Sequence, residues 1–214
     1  MKKTVFVLLN DYWHPRATIE PLVEKLFPEK DWFLRVTDDP NYPTAYFKMP
    51  DLLVNFKDGI ANTQIPTSNW YGRDWAFVLE RAVRGSGMGY LAVHCGTANI
   101  PEDHPAFRQV LRGRFLRHPP LCPMTFEPTA DHPITRGVEP FTLNDEQYVV
   151  EFSPDAPTQV LGVSRSEHGE QPALWAHELG KGRVCGVTPG HTAENLLHPA
   201  YVKLLQNAVA WCAR

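Results

Sequence analysis

Long hydrophobic runs are missing from this chain. Its apolar stretches break after a few residues, and none approaches the roughly 18–20 that a membrane-spanning helix needs. A membrane is therefore not an expected partner. The N-terminal Met1-Lys2-Lys3 and the apolar residues 4–9 have the outline of a secretion signal. That apolar core is too short and meets Asn10-Asp11 at once, so it reads as a first strand. Cysteine is sparse and scattered: Cys95, Cys122, Cys185 and Cys212 form no CxxC or other short-spaced pair. This excludes a zinc knuckle and a disulfide framework, and it fits reduced thiols in a cytoplasm. Neither sign of charge dominates. With 21 Lys and Arg against 24 Asp and Glu, a net charge of -3 and a pI near 6.3, there is no basic footprint for nucleic acid. Small solutes are the expected ligands, and assembly into a homo-oligomer is left open. Internal repeats, low-complexity tracts and linkers are also lacking, so residues 1–214 are expected to form one domain.

What the chain does carry is a glycine-rich turn feeding a short apolar strand. In Arg84-Gly85-Ser86-Gly87-Met88-Gly89-Tyr90-Leu91-Ala92-Val93-His94-Cys95-Gly96-Thr97, residues 90–93 have the length and Val/Leu content of a buried parallel strand. The run stops abruptly at polar, reactive groups. In an open α/β sheet, side chains at the carboxyl end of a strand project into the crevice where ligands bind. His94, Cys95 and Thr97 are candidates on that ground, and Gly96 is expected to supply a positive φ for the sharp turn. The plainer alternative is that His94 and Cys95 simply end a core strand.

Residues 4–9 form a continuous apolar run, as a strand covered on both faces would. The following Asn10-Asp11-Tyr12-Trp13-His14-Pro15 lies on the ligand side of such a sheet, which adds Trp13 and His14 to the candidates. Residues 18–27 place Ile19, Leu22, Val23 and Leu26 at helical spacing, with Thr18 as the cap and Pro21 in the first turn. Strands are expected at 33–36 and 51–56, a turn-rich stretch at 38–43, a loop at 60–71 and an amphipathic helix at 74–83. Further on come a short helix at 103–111, proline-punctuated edge strands at 116–120 and 125–128, and strands at 160–163, 173–178 and 183–187. Glycines at 180 and 182 mark a hairpin turn between the last two. A terminal helix covers 199–213. The alternation of strands and helices argues for an α/β fold with three layers, a mostly parallel sheet carrying helices on both faces in the flavodoxin-like manner. Strands 4–9, 51–56 and 90–93 should be neighbours in it.

In sequence order, the chain has a Gly-rich turn before Leu91-Ala92-Val93-His94, then Asp131-His132-Pro133-Ile134, Asp145-Glu146-Gln147-Tyr148, and Trp175 ahead of Gly180-Lys181-Gly182-Arg183-Val184. Pro189-Gly190-His191 and Asn207-Ala208-Val209-Ala210-Trp211 follow. In these motifs, which span more than half of its length, the chain resembles the ThuA-like family, named for trehalose utilisation, which belongs with the class I glutamine amidotransferase-like fold. The resemblance implies a sugar-related role in a family whose enzymatic activity is poorly defined. Amidotransferases hold a cysteine at a strained strand-to-helix elbow flanked by small residues. Here that position, between Ala92 and Gly96, is His94. Cys95 is one place off, and His191 is followed by Thr192-Ala193 rather than by a Pro-Glu ending. Glutamine hydrolysis is not implied.

His94, Glu146 and His191 fall at or just beyond strand ends in three separate motifs. Two imidazoles and a carboxylate can converge either as a general acid/base set or as an open site for a divalent metal such as zinc. These three are the expected catalytic residues and, alternatively, metal ligands. Trp13, His14, Cys95, Thr97, His118 and Tyr148 are the expected substrate contacts, with Asp145 and Glu151 of second rank, and Trp13, Trp70, Tyr71 and Tyr148 as aromatics able to stack on a sugar ring. Two further readings compete: a non-catalytic sugar-binding or interaction protein on this scaffold, and a cysteine-based hydrolase resting on Cys95 alone.

Overall fold

A computed structural model describes residues 2–40, 49–65 and 68–213. The expected turn at 38–43 lies partly outside them. Eleven strands are formed among the described residues: β1 (Lys3–Leu8), β2 (Trp32–Thr37), β3 (Leu52–Asn55), β4 (Gly89–Val93), β5 (Gly113–Arg117), β6 (Cys122–Pro128), β7 (Phe141–Asp145), β8 (Val149–Phe152), β9 (Gln159–Ser166), β10 (Gly169–Leu179) and β11 (Gly182–Val187). Nine of them build one sheet in the order β2-β1-β3-β4-β11-β10-β9-β6-β7, while β5 and β8 pair separately. The helices are α1 (Arg16–Leu26), α2 (Arg73–Arg81), α3 (Ala193–Leu196) and α4 (Pro199–Cys212). Two wider helical turns follow the π pattern, Ala82–Ser86 and Ala106–Leu111.

The apolar runs 4–9, 51–56 and 90–93 become neighbouring parallel strands, with Val5 opposite Leu52 and Leu52 opposite Gly89. Every residue of β3, β4 and β11 is buried. Alternate side chains of these strands feed two cores, as the twofold period of a strand requires. Val5, Val7, Leu91 and Val93 join α1 and α4 in one core. Phe6, Leu8, Tyr90 and Ala92 join α2 and Phe107, Val110 and Leu111 in the other. The sheet is not mostly parallel, however. Its pairings from β2 to β11 are parallel, but those from β11 through β10, β9 and β6 to β7 are antiparallel, four of each kind among the described residues. The fold is therefore α/β with a mixed sheet.

Two local expectations are corrected. Thr18 does not cap α1. The helix starts at Arg16 behind Pro15, with no side-chain cap, so Pro21 falls beyond the first turn. The strand around 125–128 is not an edge either, because β6 lies between β9 and β7. Its Pro123 is tolerated because it faces only β7 there; pairing with β9 begins at Thr125.

His177 on β10 sits between the Val110 carbonyl, 2.9 Å from Nε2, and the Thr158 hydroxyl, 2.8 Å from Nδ1. Burial, then the Arg112 charge, pushes its pKa down to about 4. Between that value and the ordinary one near 6.5 the unfolded chain binds a proton that the folded chain refuses. Stability is then full above about pH 6.5 and falls as pH drops towards about 4, by about 3 kcal/mol from this residue. Urea midpoints of wild type and His177→Gln over this window test it. The variant's slope is expected to be shallower, and equal slopes would contradict the assignment.

Candidate functional site

The strand β4 ends in a tight 3-10 turn, His94–Thr97. The residue that adopts the left-handed backbone is His94 itself, at φ 49. For a non-glycine residue this is a strained conformation of the kind that collects at functional sites. Gly96 is required for another reason: a Cβ there would come within 1.9 Å of the Asn55 carbonyl oxygen. The elbow therefore presses directly on the end of β3.

His94 is buried, and both of its ring nitrogens have partners. Nδ1 lies 2.7 Å from the Thr188 carbonyl oxygen, which only accepts, so this nitrogen carries a proton. Nε2 faces the Tyr148 hydroxyl at 3.0 Å and Glu146 Oε2 at 3.5 Å. Glu146 and Tyr148 come from the short connection between β7 and β8, and both reach the same histidine. Asp145, at the end of β7, is fully buried and fixes this region. Its Oδ1 accepts from the Glu146 and His191 amides at 2.8 and 3.1 Å, and its Oδ2 accepts from Gly190 at 2.7 Å. One carboxylate thus sets the backbone of both Glu146 and His191.

The Glu146 carboxylate has two sides. Oε2 lies 3.5 Å from His94 Nε2 and 3.4 Å from His191 Nδ1, and Oε1 lies 3.5 Å from His118 Nε2. Burial works to raise its pKa, but His94 first, then His191 and His118, hold it below the usual carboxylate range. Burial likewise opposes the charge on His94, yet Glu146 and Asp145 bring its pKa above the ordinary imidazole value. His191 goes the other way, lowered by burial and by the facing histidines.

His14 completes the cluster. Its Nε2 is 2.9 Å from His191 Nδ1, and its Nδ1 faces Asp11 Oδ1 at 3.1 Å. The Cys95 sulfur lies 3.1 Å from the same Nδ1. A relay of base and orienting acid uses opposite nitrogens of the ring, whereas here Asp11 and Cys95 compete for one. Burial, reinforced by Asp11, also pushes the Cys95 thiol well above its ordinary pKa. A nucleophile needs the thiolate, so the cysteine-hydrolase reading has no support. Under native conditions at neutral pH, Cys95 is expected to resist iodoacetamide and to react only after unfolding. Rapid stoichiometric labelling seen by mass spectrometry would contradict this.

The cluster opens onto a cavity of about 180 Å³ lined by Trp13, His14, Asp58, Cys95, Ala98, Asn99, Phe115, His118, Glu146, Tyr148 and His191. Trp13 stands at its rim, 45% exposed. Phe115 and Tyr148 pack with ring centres 4.3 Å apart. Thr97 is not on the wall: its hydroxyl donates to the His94 carbonyl at 2.7 Å and closes the turn. Trp70 and Tyr71 do not line it either. They stack on each other, and the Tyr71 hydroxyl accepts from Asn55 at 3.1 Å. Glu151 pairs with Arg114.

Asp11, Asp58, Asn99 and Phe115 were not singled out by the sequence. Asp58 accepts from the Ile60 amide at 2.7 Å and from the Asn99 side chain at 2.8 Å, and burial raises its pKa. Asp11 goes the other way: burial works to raise its pKa, and His14 more than offsets it. The signal that was available was position: Asp11 follows the first strand and Asp58 the third, both at carboxyl ends.

Solved structures share this fold along the whole chain. A ThuA-like protein from Parabacteroides merdae superposes with a TM-score of 0.77 at 12% identity, covering 100% of this chain and 90% of that one. A ThuA-like protein from Bacteroides uniformis gives 0.73 at 18%, covering 99% and 90%. A glutamine amidotransferase from Thermotoga maritima gives 0.59 at 12%, covering 98% and 97%. At these identities the likeness is one of fold. No curated protein matches the chain, and no helix among the described residues is long and apolar enough to cross a membrane. A family model described as ThuA, trehalose utilisation, matches residues 4–212, and the chain therefore belongs to the ThuA family.

Proposed function

We propose that this chain is an enzyme acting on a sugar or an oxidised sugar held in the Glu146 cavity. The observation that carries the reading is the two-sided Glu146 carboxylate, faced by His94 and His191 on one oxygen and by His118 on the other. Such a carboxylate is kept anionic and can take a proton from a hydroxyl or from a carbon next to a carbonyl. His118, more exposed than the other two imidazoles, is placed to exchange that proton with water. The buried side of Glu146 supplies the groups that polarise the reacting oxygen.

Membership of a trehalose-utilisation family supports a role in carbohydrate utilisation in general. The cavity fits that class. Trp13 offers a ring face at the rim, while Asp58 and Asn99 offer polar atoms to hydroxyls. At about 180 Å³ it is smaller than the roughly 300–1,000 Å³ of drug-sized sites, so one sugar ring enters at a time.

The test is a panel of mono- and disaccharides with their keto and acid forms, scored by thermal shift and by product analysis. A sugar that stabilises wild type and is converted, but is not converted by His94→Ala, supports the proposal. Binding without conversion points to the non-catalytic sugar-binding alternative. No shift with any sugar would count against both.

A further inference from the structure

The permanent charges around the cavity are of one sign. Asp58 and Glu146 stand on its wall, Asp11 lies against His14, and Asp145 fixes the backbone of Glu146. No Lys or Arg is among the described residues that line it. We infer that the ligand of this site is an uncharged sugar, held by its hydroxyls on Asp58 and Asn99, and that Asp58 turns away the corresponding sugar acids. The inference rests on the sugar reading above and narrows it.

The cations that could receive an acid are engaged elsewhere. Arg114, next to Phe115 on β5, reaches Glu151 at 2.6 Å and the Ile100 carbonyl at 3.1 Å. Lys57, next to Asp58, donates to the Asn10 carbonyl at 2.8 Å. Imidazoles are the remaining source of positive charge, and each of the four here already faces a carboxylate. His14 faces Asp11, while His94, His118 and His191 face Glu146. Protonating them balances anions already present, whereas the Asp58 carboxylate meets an amide of the backbone and an amide of Asn99.

Asp58 also has acceptor capacity to spare. It is 2% exposed, and among the described residues two donors reach its carboxylate, the Ile60 amide and the Asn99 side chain. Such a group offers about four lone-pair positions, so roughly half are open, and buried open acceptors call for donors. Sugar hydroxyls supply them, and a ligand carboxylate supplies none. Asn99 is held in place beside it. Its φ of 54 is left-handed, its carbonyl accepts from the Asn69 side chain, and a Cβ at Gly59 would come within 2.5 Å of that carbonyl oxygen. The loop that carries Asp58 closes on Asn99 because residue 59 is glycine.

A sugar acid brings the wrong charge to this wall. Within a cavity of about 180 Å³ its carboxylate stands no more than about 10 Å from Asp58, where two like charges lower affinity roughly 10-fold or more. The acid either meets the Asp58 charge or forces a proton onto it, and both weaken binding. A keto sugar carries no charge and stays within the accepted class.

The test measures binding by calorimetry at neutral pH with the whole chain and matched pairs of nearly equal size: glucose and glucuronate, galactose and galacturonate, mannose and mannuronate. The uncharged member of a pair that binds should bind about 10- to 100-fold more tightly than its acid. In Asp58→Asn that gap should close to within about 3-fold, because the shape of the wall is kept and the charge is gone. Circular dichroism checks that the variant is folded. If it is not, Glu146→Gln removes the other charge of the wall and should narrow the gap in the same way. Equal or tighter binding of the acids by wild type overturns the inference and leaves the sugar reading standing. A gap that persists undiminished in the folded variant overturns it too, since the discrimination is then one of shape. No binding of either member of any pair counts against the inference and the sugar reading together.

Discussion

Replacing Glu146 by Gln is expected to lower turnover of the sugar by about 10²- to 10⁴-fold, the usual contribution of a positioned acid or base. Gln has the same shape but no negative charge. It leaves His94, His191 and His118 without the anion that all three face. The fold should persist, because the position of the residue is set through its amide, which donates to Asp145 Oδ1 at 2.8 Å whatever the side chain. The side chain belongs to the cavity wall and to neither core. Kinetics and a thermal melt of the same preparation separate the two effects. Full activity in Glu146→Gln would remove the carboxylate from the mechanism, and an unfolded variant would show that its role is structural.

Gly96→Ala is expected to be the most damaging single methyl group in the elbow. It would place a Cβ 1.9 Å from the Asn55 carbonyl oxygen and 2.8 Å from its carbon. Both are backbone atoms at the end of β3, a strand paired on one side with β1 and on the other with β4. No side-chain rotation relieves that contact, so either the elbow or the sheet edge must move. A loss of about 3 kcal/mol or more follows, at the upper end of overpacking effects. The displaced turn carries His94, so ligand binding should fall even where the variant still folds. Gly85→Ala is the matched control. Its Cβ would meet nothing within 4 Å and its φ is not in the left-handed range, so a change within about 0.5 kcal/mol is expected from urea unfolding. Similar losses in both variants would contradict the argument.

The parts of this fold that were legible in the sequence are those encoded locally. The continuous apolar runs at 4–9, 51–56 and 90–93 declared strands buried on both faces, and their order followed from the intervening helices. Gly180, with φ 61 between β10 and β11, marked the hairpin. The direction of the remaining strands was not legible, because an apolar run records that a strand is covered and not which way its neighbour runs. In the antiparallel half β10–β11, β9–β10 and β6–β7 join chain neighbours, and only β6 with β9 joins strands that are far apart in sequence. At the site, His94, Glu146 and His191 were readable as polar residues closing apolar strands. Asp11 and Asp58 were not, since a carboxylate after a strand looks like any turn residue until a histidine is seen against it. Gly96 was singled out correctly but for the wrong cause. The positive φ belongs to His94, and glycine is needed because the Asn55 backbone passes so close.

The most direct test of the central claim is the two-dimensional proton–nitrogen-15 spectrum of the histidine rings, recorded while a sugar from the panel is added. The rings of His14, His94 and His191 form one contiguous set, with His14 and His191 on the cavity wall and His14 centred 5.0 Å from His94 and 4.9 Å from His191. His177 lies away from it, bonded to Val110 and Thr158. A sugar that is bound and processed should shift the resonances of His14, His94, His118 and His191 together and leave those of His177 in place. A converted sugar that leaves the first four unmoved would contradict the account and place the reaction elsewhere on the chain.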